Sequence, residues 1–198
     1  IQGLAADIFK VALVNLDPES EGFGEVLQQF ELGEDVLPHH LYYNRDQSRL
    51  YNTTLSGEYL YELILERDAD GVPTIVEAIA IDTGDSQVGE DIYFTEDGSQ
   101  FWITFIGGFG GERDGSIGVF DAKTNELLNT ISAPEPEDPT NGQPYILYPH
   151  GISAREDSGY MVVTSTIHPD LTTGMGNTVT VLDMETGEPV QTVLVSEA

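Results

Sequence analysis

The 198-residue chain contains no cysteine, which removes disulfides, thiolate metal sites and cysteine nucleophiles from consideration. It is almost as poor in positive charge. Seven Lys and Arg residues stand against 35 Asp and Glu, a formal charge of −28, and Lys10 and Lys123 are the only lysines. A nucleic-acid backbone or an anionic membrane surface is repelled by almost any face of such a molecule, so no nucleic acid is an expected partner. No apolar run approaches the roughly 20 residues of a transmembrane helix, and the opening IQGLAADIFK has neither the basic nor the apolar region of a signal peptide. Membrane insertion is not expected. A G-x-S-x-G elbow for a serine nucleophile is missing too.

What remains is the composition of a folded globular protein, 39% apolar with scattered aromatics. The acidity is spread along the chain and does not form a tail. That suits a soluble protein, with a periplasmic or extracellular location favoured and a cytoplasmic one left open.

The chain repeats itself. PHHLYYNRDQSRLYNTT from Pro38, GEDIYFTEDGSQFWITF from Gly89 and PHGISAREDSGYMVVTS from Pro149 align without gaps at offsets of 51 and 60 residues. His39, Glu90 and His150 fall in register, as do Leu41, Ile92 and Ile152, then Asp46, Asp97 and Asp157, then Thr53, Thr104 and Thr164. Each copy reads as an apolar stretch, an Asp turn and a second stretch rich in aromatic and β-branched residues, which is a hairpin. The register continues downstream, where GSIGVFDAKTNELLNTI from Gly115 matches NTVTVLDMETGEPVQTV from Asn177 at an offset of 62. Asp121 and Asp183 end one strand, and Thr124-Asn125 and Thr186-Gly187 turn into the next. A further relative, KVALVNLDPESEGFGEVLQQFEL from Lys10, has a longer turn.

Four short antiparallel strands per unit, recurring every 50 to 60 residues, are the signature of β-propeller blades. A β-sandwich does not require the same hairpin to return with the same turn chemistry. The expected fold is therefore all-β, a single propeller unit over 1–198 with a partial blade at 10–31 and blades at 38–81, 89–131 and 149–193. YLYELILERDADG from Tyr59 could form a helical turn, but its place between hairpin and return strand makes it a third strand. The proline-rich acidic stretch 132–144 is a surface linker between two blades. About three and a half blades do not close a ring by themselves. The remaining blades of a seven-bladed ring are expected from a longer chain or a partner chain.

The PHGI phrase with its Asp-Ser-Gly turn, and the strand pair TVTVLDMETGEPVQTV, resemble the YVTN-type propellers. The whole stretch from Pro149 to Val193 resembles the selenium-binding protein and methanethiol oxidase family. That resemblance implies a seven-bladed propeller and, for the oxidase members, copper-dependent chemistry on a small sulfur compound. Cysteine motifs common in that family are absent here.

In a propeller, the loops entering the inner strands and the loops between second and third strands share one rim. The first type carries His39, His40, Glu90, Asp91 and His150, and the second carries His168 and the glycine-rich FIGGFGGERD, residues 105–114. All four histidines are thus expected on one face. Imidazoles and a carboxylate converging on one axis suit copper or another divalent transition metal, so His39, His40, His150, His168 and Glu90 are the candidate ligands. A His–Glu pair could equally serve acid–base catalysis, and hydrogen bonding to neighbouring loops is the plain structural alternative. Gly107, Gly108, Gly110 and Gly111 have no following Lys or helix start, so they let a loop turn tightly and do not form a phosphate loop. The repeat-phase Asp46, Asp97 and Asp157 are turn formers, with calcium ligation a minor alternative. Tyr51, Trp102 and Met161 are read as equivalent second-strand positions that pack between blades. Two functions fit: a binding or scaffold module that recognises a protein or small-molecule ligand through its rim, and a copper-dependent oxidoreductase with a histidine site at the central channel.

Overall fold

The computed structural model describes residues 10–14, 19, 21, 23–33, 36–55, 59–84, 88–107, 115–138, 141–166 and 178–195. Strands β1 (Lys10–Val14) and β2 (Val26–Glu31) form a two-stranded sheet. Three four-stranded antiparallel sheets follow in chain order, each starting from an inner strand. The first blade holds β3 (Pro38–Tyr43), β4 (Arg49–Thr54), β5 (Tyr59–Arg67) and β6 (Pro73–Asp82). The second holds β7 (Gly89–Phe94), β8 (Gln100–Phe105), β9 (Ser116–Asp121) and β10 (Leu127–Ile131), and the third β11 (Pro149–Arg155), β12 (Tyr160–Ser165), β13 (Thr178–Asp183) and β14 (Pro189–Leu194). The segment from Tyr59 is a strand, paired with β6 from Tyr59↔Asp82 to Arg67↔Pro73. Its local helix propensity loses to the unpaired edge of β4 that it satisfies.

The core lies between the sheets. Leu50, Leu63 and Ile75 of the first blade pack against Leu13 of β1. Tyr51 and Leu60 of the first blade meet Phe94, Phe101 and Phe120 of the second, where the Phe101 and Phe120 rings stack at 4.9 Å. Trp102, Ile117 and Val119 of the second blade meet Met161, Val163 and Leu182 of the third. Alternate residues of one strand thus serve opposite seams, because side chains in a strand point to opposite faces. This separates Met161 from Tyr51 and Trp102. The latter two face the following blade, whereas Met161 faces the preceding one, as Phe101 and Leu50 do. The second-strand residue in phase with Trp102 is Val162, which is exposed.

The repeat-phase aspartates build the turns. Asp46 Oδ1 accepts the Ser48 N–H at 2.9 Å and Asp97 Oδ1 the Ser99 N–H at 2.9 Å. Asp121 and Asp183 each cap two peptide N–H groups of the turn that follows. The Ser48 hydroxyl and then its N–H hold the Asp46 carboxyl below its ordinary value, and the turn N–H groups do the same for Asp97, Asp121 and Asp183. Asp157 differs: it lies in the short 3-10 turn Glu156–Ser158, closed by Gly159 at φ +75°, and bonds the Arg155 guanidinium.

Candidate metal centre

The inner strands β3, β7 and β11 carry the site, and each breaks its pairing at the same point. Pro38 pairs with Thr54 and Leu41 with Asn52, so His39 and His40 together oppose Thr53. Glu90 and Asp91 together oppose Thr104, and His150 and Gly151 oppose Thr164. Each is a β-bulge, which leaves one residue unpaired and re-aims its side chain. The threonine hydroxyl satisfies the stranded peptide: it accepts the N–H of His40 at 3.1 Å, of Asp91 at 3.0 Å and of Gly151 at 3.1 Å. A bulge also allows the consecutive His39 and His40 to share a side, and their rings stack 4.0 Å apart at an interplanar angle of 15°. The candidate residues expected in entering loops therefore lie within the strands, as the second and third residues of β3 and β7 and the second of β11.

His39, Glu90 and His150, in phase in the sequence, come together in space. Glu90 Oε2 stands 3.2 Å from His39 Nδ1 and 3.3 Å from His150 Nε2. One donor atom from each of His39, His40 and Glu90 lies within 4.8 Å of the others. The His40 and His150 rings meet edge to face at 6.2 Å. The Glu90 side chain is only 4% exposed, while His39 and His150 remain 25% and 39% open to solvent. His168 and Gly108, Gly110 and Gly111 lie outside the described residues; Gly107 adopts φ +92°.

At these distances, burial works against charge on all three groups. Burial, reinforced by Asp91, pushes the Glu90 carboxyl up to about 7. Burial, then the neighbouring His40, lowers both His39 and His150. Glu90 Oε2 and His39 Nδ1 are both buried without a hydrogen bond. A buried carboxylate oxygen lacking a donor is costly unless something charged supplies one. The donor set, neutral imidazoles around such an oxygen, fits a divalent cation.

Two residues with no role assigned from sequence complete the surroundings. Asp91, beside Glu90, reaches across both seams: its Oδ1 accepts the Tyr42 hydroxyl of the first blade and its Oδ2 accepts the Ile152 N–H of the third at 3.1 Å. The Tyr42 oxygen also lies 3.1 Å from His40 Nδ1. Burial, then the bond to Asp91, raises the Tyr42 hydroxyl well above its ordinary value. The available signal was the repeat itself, with polar residues in two of the three copies at the position after His39, Glu90 and His150.

No family model and no curated protein matches the chain. Among solved structures it is similar to a hypothetical selenium-binding protein from Sulfolobus tokodaii, with a TM-score of 0.71 and 15% identity over 95% of this chain and 45% of that one. It is also similar to a 6-phosphogluconolactonase-like protein from Bacteroides fragilis (TM-score 0.57, 16% identity, 93% and 48% covered). A third is dihydro-heme d1 dehydrogenase in complex with DHE (0.58, 13%, 94% and 33%). The chain spans between a third and a half of the length of these proteins. Together with the four-stranded sheets arrayed seam to seam, these likenesses give the fold: the chain forms blades of a β-propeller.

Proposed function

We propose that this chain is the metal-holding part of a β-propeller that binds a small ligand at its inner rim. His39, His40, His150 and Glu90 supply the donors for one late first-row divalent ion, copper or zinc. The orphaned Glu90 oxygen carries the reading. Donors bound at 2.0–2.1 Å around a tetrahedral ion stand about 3.3 Å apart, and Glu90 Oε2 lies 3.2 and 3.3 Å from two imidazole nitrogens. Imidazoles suit copper and zinc, and burial already favours their neutral, lone-pair form. When bound, such an ion supplies Lewis acidity and, if copper, electron transfer. Glu90 closes the buried side of the site, and the half-open His150 edge gives a ligand its way in from solvent. An oxidoreductase acting on a small sulfur compound is the activity that the resemblance of residues 149–193 adds.

The test is metal analysis of the full-length polypeptide carrying this chain, purified from medium supplemented with copper and zinc. About one equivalent of metal per chain is expected. Competition against a chelator should show His150→Ala and Glu90→Gln each weakening binding by at least about tenfold. A metal-free protein, or binding that both variants leave unchanged, overturns the reading and leaves a rim that recognises its partner without metal.

A further inference from the structure

A tyrosine hydroxyl has one proton to give and lone pairs with which to accept. Tyr42 gives its proton to Asp91 Oδ1. Towards His40 Nδ1, 3.1 Å away, the same oxygen can then only accept, and it accepts from an Nδ1–H. A neutral imidazole protonated at Nδ1 keeps its lone pair on Nε2. Asp91 acts purely as an acceptor, because three donors converge on its two oxygens: the Tyr42 hydroxyl and the Ile92 N–H on Oδ1, and the Ile152 N–H on Oδ2. Residue 151, beside this bond, is glycine: a Cβ there would meet Asp91 Oδ2 only at an ordinary 3.9 Å but would press on Thr164 Oγ1 at 2.9 Å.

We propose that Asp91 is a positioning residue that acts through Tyr42, holding His40 in the tautomer whose Nε2 lone pair is free for a metal ion. The inference rests on the metal reading above and adds a carboxylate–phenol–imidazole chain across the inner strands of two blades, tied to the third through the Ile152 N–H. Ligating histidines commonly have their second nitrogen fixed in this manner, and losing the partner weakens metal binding by about 10- to 100-fold.

Asp91→Asn tests it with a directional outcome. Asparagine has one oxygen for two sides; when it stays on the Ile152 N–H and gives up the Ile92 N–H, the amide NH2 faces Tyr42 and donates to its oxygen. The Tyr42 O–H must then turn to His40 Nδ1, which forces the imidazole proton onto Nε2. Nitrogen-15 NMR of the histidine rings in metal-free protein reads this directly. The wild type is expected to carry the His40 proton on Nδ1 and Asp91→Asn on Nε2, with copper binding about 10- to 100-fold weaker. Tyr42→Phe keeps the Asp91–Ile152 tie and is expected to release His40 into a mixture of tautomers, so it decides the matter if Asp91→Asn does not fold. A wild-type His40 protonated on Nε2 overturns the proposal, as does a tautomer that neither variant moves; a purely structural Asp91 would give the second result. The readout needs no metal, so a protein that binds none sinks the proposed function while the tautomer still decides the role of Asp91.

Discussion

Glu62 and Glu90 are both buried carboxylates on β-strands, yet their surroundings are opposite. Glu62 is 1% exposed, and both of its oxygens are supplied. Oε1 accepts from the Arg49 guanidinium and from the Tyr51 hydroxyl at 3.2 Å, and Oε2 accepts from Asn125 Nδ2 at 2.6 Å. Asn125 sits in the β9–β10 turn of the next blade at φ +60°, so Glu62 pins one blade to its neighbour. Glu90 is buried to a similar degree, but its Oε2 faces two imidazoles that burial keeps neutral. The first arrangement is finished without a ligand. The second is complete only when protonated or when a cation arrives, which is the difference between a structural and a functional buried charge.

The comparison can be broken at either residue. Glu62→Leu removes the acceptor of Arg49, Tyr51 and Asn125 together. Because Arg49 is 40% exposed and can turn to water, the expected loss is about 3 kcal/mol, at the low end for a broken buried pair. Urea unfolding measures it, and a loss below about 1 kcal/mol would show that the network is ornamental. Glu90→Gln should act in the other direction in chelator-treated protein. The native carboxyl titrates near 7 against an ordinary 4.5, so the folded state holds its proton more tightly than the unfolded one. Stability therefore falls as pH rises from 4.5 through about 7 and stays low above it. Gln removes that fall, so the variant should match wild type near pH 4 and exceed it by about 3 kcal/mol at pH 8. A variant less stable than wild type at pH 8 would mean that the Glu90 oxygen has a partner after all.

Much of the architecture was legible because a repeat of equal phase places equal positions at equal radius. That alignment alone groups His39, Glu90 and His150. It did not show that all three sit inside strands, because a bulge is a property of pairing, two residues against one, and neither strand's own composition displays it. Met161 was assigned one position out of phase, and in a strand one position is the opposite face. Glu62 escaped notice because its decisive partner, Asn125, is 63 residues away on another blade. A charged residue between Leu60 and Ile64 on the same strand face was the available sign. Asp91 was assigned to the rim, but its function lies in bonds to Tyr42 and Ile152, which no single repeat unit contains.

The bulges permit the finest comparison, since the same threonine serves three blades in different surroundings. Thr104 is fully buried; it accepts the Asp91 N–H at 3.0 Å and donates to the His150 carbonyl, joining the second and third blades. Thr164 accepts the Gly151 N–H at 3.1 Å but is exposed, so water can replace its hydroxyl. Valine keeps the branched shape of threonine and removes only the polar group. Thr104→Val should therefore strand a buried N–H and a buried carbonyl and cost about 2 kcal/mol, whereas Thr164→Val should cost less than about 0.5 kcal/mol. Parallel thermal melts of the two variants make the measurement. Equal losses would mean that the hydroxyl matters through the bulge alone, and that the Thr104–His150 bridge between blades contributes nothing to holding the site in place.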